Sequence, residues 1–175
     1  MSAIAAMLHE LEHEAATTRR VLERIPDSKL TWKPHPKSMS LGQLGLHVAM
    51  GPGHVAEMSR QAVMELTVTE QPAASSNAEI LAAHDAGIAR AREILQGMKD
   101  SDLAKPFRIV AGAAEVATMP IGGMLRSGML NHWYHHRGQL SVYLREVGAP
   151  VPSIYGPSAD ENPYASLQTA AAASA

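Results

Sequence analysis

Apolar residues recur along the chain at alternating steps of three and four, the pattern of one face of an amphipathic helix. The first such stretch runs from about Ser2 to Arg24, and Pro26 ends it. Two others run from Asn77 to about Met98 and from near Ile121 to Gly148. The pattern therefore predicts helices over these segments, each facing a shared core with its apolar stripe.

A further helix is predicted after Ser40, because Ser40 and Gln43 have the spacing of an N-terminal capping box. The segment Gly51-Pro52-Gly53 is expected to kink or interrupt this helix before it resumes towards Met64. The sequence thus predicts a second helix of two parts.

The segments that connect the predicted helices give weaker indications of their structure. Residues 67–76 are typical of a loop, and residues 100–120 form a long, irregular crossover in which Phe107–Val110 could be extended. Residues 149–157 predict an extended C-terminal tail that lies over the helices. The expected fold is all-α, a four-helix bundle forming one domain over residues 1–165, with a disordered Ala-rich end over residues 166–175.

Composition narrows the classes of protein. Apolar residues make up 46% of the chain and aromatic residues only 4%, so Ala, Leu, Val, Ile and Met must build the core. The net charge of -2 without a basic stripe argues against nucleic acid or a membrane surface as partner. Charged residues in the first helix exclude a signal peptide or membrane span there, so a cytoplasmic protein is expected. The absence of cysteine excludes disulfides, Cys-ligated zinc and a thiol nucleophile.

Two of the nine histidines interrupt the apolar stripe of the last helix. His132 and His136 are four residues apart, so both imidazoles leave the same face and could bind one metal ion. Two core histidines with satisfied hydrogen bonds would give the same pattern. His135 points away from this face and is not included among the candidate ligands.

A third ligand would have to come from another helix. His47, on the inward shoulder of the second helix, is the preferred candidate. His84 lies centrally in the apolar stripe of the third helix, and His54 lies on a face similar to that of His47 but beyond the expected kink. Periodicity favours His47 only slightly over these alternatives. The other histidines are expected at the surface: His9, His13 and His35.

Several blocks of the sequence resemble the DinB/YfiT-like family of proteins proposed to be metal-dependent. The blocks occur in the family's order: Trp32-Lys33-Pro34, Ser40-Leu41-Gly42-Gln43-Leu44, His47, His132-x-x-x-His136-Arg137-Gly138-Gln139-Leu140, Tyr143-Leu144-Arg145, Gly148, Val151-Pro152 and Tyr155-Gly156. The resemblance implies a four-helix bundle, commonly a homodimer, with His47, His132 and His136 as ligands of one divalent metal ion. It assigns no ligand to His84, which becomes a residue that supports the site or faces the substrate.

Three neutral imidazoles would leave a divalent ion with a position open to water or substrate. Zinc and nickel both accept imidazole ligands, and the sequence does not choose between them. Asn131 and Gln139 flank the pair and are predicted to orient an imidazole. Tyr143 could donate to a substrate, but core packing is the favoured role. No catalytic acid or base is identified.

Two functions follow from this hypothesis. The resemblance implies an enzyme that acts on a small molecule, of the thiol-dependent S-transferase or hydrolase type. Because the chain has no cysteine, the thiol would be a low-molecular-weight partner. The alternative is a non-catalytic, stress-related bundle that binds a metal or ligand, and it predicts a fourth protein ligand, His84 or a carboxylate. The enzyme instead requires an open coordination position and a pocket with polar groups near His47.

Overall fold

Four helices and a small sheet form the computed structural model, which describes residues 2–67 and 70–165. The first three helices lie close to their predicted positions: α1 is Ala3–Leu22, α2 is Leu41–Gln61 and α3 is Asn77–Gly97. The last helix, α4, is continuous and has three parts: Ile121–Met124, a π-helical segment Leu125–Asn131, and His132–Glu146. Short 3₁₀ turns cover Asp27–Lys29 and Asp100–Ala104.

The prediction of an all-α fold is wrong, because three strands form a mixed sheet. They are β1 (Val63–Glu65), β2 (Pro106–Ala111) and β3 (Ala114–Pro120). The central strand β2 pairs in parallel with β1 and antiparallel with β3. Phe107–Val110, predicted as extended, does lie in β2. The three residues of β1 are too few to show an alternating pattern, and they fall where α2 was expected to resume.

The helix starts follow the local chemistry that the sequence indicates. Ser40 and Gln43 form the predicted capping box at the start of α2. Pro52 does not interrupt α2, which continues to Gln61 and ends at Ala62 in the left-handed conformation. Gly148, also at positive φ, follows the end of α4 as predicted.

The buried stripe of α4 differs from the predicted one after its first part. The spacing of apolar residues in the sequence predicts that the inward stripe consists of Leu125, Met129, His132, His136, Leu140, Tyr143 and Val147. In the structure the buried residues from Leu125 onwards are Leu125, Met129, Leu130, Trp133, Arg137, Leu140 and Leu144. The π-helical segment inserts one step of five, from Leu125 to Leu130, and the steps of three and four then resume. Consequently His132 and His136 lie beside the buried stripe and not in its middle.

A buried ion pair connects α4 to α1. The Arg137 guanidinium lies 2.6 Å from the Glu14 carboxylate, and both side chains are almost fully buried. Arg137 also donates to the Thr18 hydroxyl at 3.0 Å and to the Tyr155 hydroxyl at 2.5 Å. Tyr155 belongs to the extended C-terminal tail, which was predicted to lie over the helices. The pair therefore joins α1, α4 and the tail.

None of the described helices is both long and apolar enough to cross a membrane. The predicted disorder of residues 166–175 lies outside the described residues.

The crossing of α2 and α3 requires glycine. A Cβ atom at Gly53 would lie 2.7 Å from the Gly87 carbonyl oxygen, and backbone cannot yield as a side chain can. We expect Gly53→Ala to lower the free energy of unfolding by about 1–3 kcal/mol. Urea denaturation of the variant and the wild type measures this change.

Gly138 supplies the matched control, because a Cβ atom there would meet nothing within 4 Å. We expect Gly138→Ala, in the interior of α4, to raise stability by about 0.5–1 kcal/mol through its greater helix propensity. Equal effects of the two substitutions would contradict a backbone contact at Gly53.

Candidate metal centre

Three imidazoles from two helices converge at one point. His47 comes from α2, and His132 and His136 come from α4. One ring nitrogen of each lies within 4.8 Å of the others. The Nε2 atoms of His47 and His132 are 3.2 Å apart. The structure thus brings together the three histidines that the family resemblance selected.

The spacing fits a metal ion better than it fits a packed core. A tetrahedral ion with metal–nitrogen distances of about 2.0–2.1 Å places its ligands about 3.3 Å apart, close to the distance between these two Nε2 atoms. His132 is exposed, while His47 and His136 are half-buried. The alternative of two buried, hydrogen-bonded core histidines therefore does not describe His132.

Two glutamines hold the imidazole rings. The Nδ1 atom of His136 lies 2.7 Å from the Gln139 side-chain oxygen, and that of His47 lies 3.1 Å from the Gln71 side-chain oxygen. Because an amide oxygen only accepts, each Nδ1 carries the proton, and each Nε2 keeps its lone pair for a ligand. Gln139 was predicted to orient an imidazole.

Gln71 was not predicted, because it lies in the loop between β1 and α3 and has no periodic relation to His47. The Gln43 side chain donates to the Gln71 carbonyl oxygen at 2.9 Å. The same Gln43 accepts from the backbone N–H of Ser40 in the capping box. A residue recognised as a helix signal therefore also fixes the loop that supports the metal centre.

Burial lowers the pKa of all three imidazoles. For His136 the pKa falls to about 4, chiefly through burial, although the hydrogen bond to Gln139 opposes the shift. The pKa of His47 is lowered by burial against the opposing hydrogen bond to Gln71. His132 is exposed on one side, and its pKa is lowered by the partial desolvation of its ring and by the neighbouring His47. All three rings are therefore neutral near pH 7, the form that binds a metal ion.

The other candidate residues have different surroundings. His84 is buried near the Trp133 ring, with Nδ1 3.2 Å from an Asp85 carboxylate oxygen, and its Nε2 has no hydrogen-bond partner among the described residues. It is not part of the histidine cluster. Tyr143 packs edge-on against Trp32, which supports the favoured packing role. Asn131 is exposed, and within the described chain its side chain has no hydrogen bond to the three histidines.

The remaining histidines lie at the surface, as expected for three of them: His9, His13, His35, His54 and His135 are exposed. Of these, His54 also lines a cavity that adjoins the metal centre.

This cavity, of about 530 Å³, lies between α2, α4 and the sheet. Its volume is within the range of small-molecule sites. All three clustered histidines line it, together with Gln71 and Ser127, and most of its other walls are apolar. A pocket with a polar group beside His47 is therefore present, as an enzyme requires.

A buried hydrogen bond joins α2 to α4 beside the three histidines. Pro52 has no backbone N–H, so the carbonyl of Val48, four residues earlier, lacks its usual helical donor. The indole N–H of Trp133 donates to that carbonyl at 2.9 Å in the buried interface. Because Val48 follows His47 and Trp133 follows His132, this bond holds two of the three histidines together.

The fold and the cluster define a helical bundle with a small sheet and a three-imidazole centre. The DinB family model matches residues 1–166, and the chain belongs to this family. The resemblance read from the sequence is confirmed.

Three relatives illustrate the similarity. The uncharacterised protein YrdA of Bacillus subtilis (strain 168) is 26% identical over 156 residues, covering 88% of this chain and 89% of YrdA. A DinB-like crystal structure from Bacillus cereus ATCC 10987 has a TM-score of 0.70 at 24% identity, covering 85% of this chain and 95% of the other. The DinB-like protein YjoA of Bacillus subtilis has a TM-score of 0.62 at 18% identity, with coverages of 82% and 92%. These structures support the fold alone.

The link between Pro52 and Trp133 is testable by a double-mutant cycle. Trp133→Phe removes the indole donor and leaves the Val48 carbonyl buried without it, at a cost of about 1–3 kcal/mol beyond the loss of packing. Pro52→Ala restores a helical N–H to that carbonyl. We therefore expect Trp133→Phe to destabilise the Pro52→Ala protein by about 1–2 kcal/mol less than it destabilises the wild type.

Chemical denaturation of the four proteins gives the coupling free energy. Trp133→Phe loses the same packing in the wild type and in the Pro52→Ala protein, so this loss cancels in the double-mutant cycle. Additive effects of the two substitutions would show that the indole does not replace the missing helical donor.

Proposed function

We propose that this DinB-family protein binds one divalent metal ion through His47, His132 and His136. We propose further that it is an enzyme acting on a small molecule, of the thiol-dependent S-transferase or hydrolase type. The observation that carries the proposal is the convergence of three imidazoles, with the Nε2 atoms of His47 and His132 3.2 Å apart, while glutamines hold the Nδ1 atoms of His47 and His136.

An open coordination position favours the enzyme over the non-catalytic alternative. That alternative predicted a fourth protein ligand, His84 or a carboxylate. Within residues 2–67 and 70–165, the cluster of possible ligands contains the three histidines and no carboxylate. His84 lies in the core beside Asp85. Three protein ligands with a vacant fourth position are typical of catalytic zinc sites.

Each group has a separate role in this proposal. A divalent ion bound by neutral imidazoles lowers the pKa of a thiol or water that reaches it. The three imidazoles hold the ion, and Gln71 and Gln139 fix two rings so that their lone pairs point inwards. The apolar walls of the adjoining cavity exclude water from the reacting groups. Zinc and nickel both suit this ligand set. The homodimer implied by the family resemblance stays a prediction.

Metal content tests the ligand assignment. We expect the purified wild type to bind close to one equivalent of zinc or nickel, and His47→Ala, His132→Ala and His136→Ala each to lose it. The reason is that each variant keeps only two imidazoles, fewer than the three protein ligands that the proposed site needs. Equilibrium dialysis followed by elemental analysis measures the bound metal.

Asn131→Ala is the matched control, since Asn131 precedes His132 but is exposed and has no hydrogen bond to the cluster. It should retain the metal. Gln139→Ala should lower metal affinity about 10–100-fold, because the His136 ring loses its hydrogen-bond partner. A wild type that stays metal-free after incubation with both ions would overturn the metal assignment.

The enzymatic part is tested with the cobalt-substituted protein. We expect mercaptoethanol to change its visible absorption, because a thiolate entering an open position alters the ligand field of the ion. The chain has no cysteine, so any sulfur signal comes from the added thiol. Mercaptoethanol replaced by ethylene glycol is the control for non-specific effects. A spectrum that neither thiol nor azide changes would favour the non-catalytic metal-binding protein.

A further inference from the structure

The cavity beside the candidate metal centre is long: the three histidines lie at one end, and His54 and Ser127 are polar side chains further along it. Val48 lies against Trp133, and a Cβ atom at Gly128 would lie 3.7 Å from Val55, so α2 and α4 run antiparallel along it. The cavity includes residues of α2 from His47 to Met58. Eleven helical steps separate these two residues and span about 16 Å, so the cavity extends well beyond the three histidines.

The sheet forms the wall that faces the helices. Phe107 and Ile109 alternate along β2 and therefore lie on the same face. Met64 of β1 is paired with Ile109, and Met119 of β3 is paired with Phe107. All four side chains line the cavity. Each strand thus contributes apolar side chains to one continuous surface.

Methionine dominates the lining. Six of the ten methionines of the chain contribute to it: Met50, Met58, Met64, Met119, Met124 and Met129. Unbranched thioether side chains adapt to ligands of different shapes. Among the described residues, no Asp, Glu, Lys or Arg lines the cavity. Away from the three histidines, His54 is the one ionisable side chain among the described lining residues, so a charged ligand group would lose its hydration along most of the cavity without a nearby ionic partner.

We infer that this cavity binds the apolar part of the substrate, an extended alkyl or aryl group without charge. The substrate places its donor atom at the three histidines and its apolar group between α2 and the sheet. This inference rests on the proposed function, because the position of the donor atom depends on the bound metal. It adds that the protein selects among substrates by the length of their apolar group.

A series of straight-chain thiols tests the inference on the cobalt-loaded wild type. Ethanethiol, butanethiol, hexanethiol and octanethiol share one donor group and differ only in apolar length. We expect the dissociation constant, measured from visible absorption, to fall about fourfold with each methylene until the cavity is filled. The series needs no variant and so gives a result whether or not any variant folds.

A charge placed in the cavity provides the second test. Met119→Glu introduces a carboxylate on the sheet face that lines the cavity, and we expect it to abolish the dependence on chain length. Val116→Glu is the matched control, because Val116 lies in the same strand and is 55% exposed. It should bind the thiol series like the wild type.

A neutral fluorophore separates failure of this inference from failure of the proposed function. Phenylnaphthylamine has no metal-binding group, so it reports on the cavity in the metal-free protein. If ethanethiol binds to cobalt but longer thiols bind no more tightly, the inference is overturned and the proposed function stands. If no thiol binds but the fluorophore binds to wild type and not to Met119→Glu, the apolar site is supported and the thiol function is overturned. If neither the thiols nor the fluorophore bind, both this inference and the proposed function are overturned.

Discussion

The hydrogen bond from the Trp133 indole to the Val48 carbonyl is the contact on which the centre depends. Pro52 removes the helical donor of that carbonyl, and an unpaired buried carbonyl costs about 1–3 kcal/mol. The bond between α2 and α4 satisfies it at 2.9 Å. Since His47 and His132 are the sequence neighbours of the bonded residues, the same bond helps to hold the two helices in the position from which their imidazoles meet. A proline that would usually weaken a helix thus determines how two helices meet.

A second buried contact fixes the other side of α4. Arg137, next to His136, is paired with Glu14 of α1 and hydrogen-bonded to Tyr155 of the tail. An unpaired charge in such a position is strongly unfavourable, so this pair resists rotation of the helix. His136 lies between the Trp133 and Arg137 anchors along α4. The candidate metal centre is therefore held by core contacts that do not themselves include one of its three histidines.

The small sheet changes what the bundle can bind. Without it, the side of α2 and α4 beyond the histidines would have no opposing wall. The pairing of Met64 with Ile109 and of Met119 with Phe107 covers that side with apolar side chains. The sequence indicated an extended segment only at Phe107–Val110, in one of the three strands. A three-residue strand such as β1 is stabilised by its pairing with β2, so its own sequence carries almost no signal.

By itself, the sequence determined the features that depend on residues within a turn or two of one another. These include the extents of α1 and α3, the capping box at Ser40, and the shared face of His132 and His136. Periodicity left His47, His54 and His84 as alternatives, and the family resemblance selected His47. Only the tertiary structure decided the five-residue step in α4, the burial of Arg137, the support from Gln71 and the wall of the cavity. Apart from the step within α4, these features join residues far apart in the chain. The energies of all of them depend on where helices and strands cross, which local spacing does not encode.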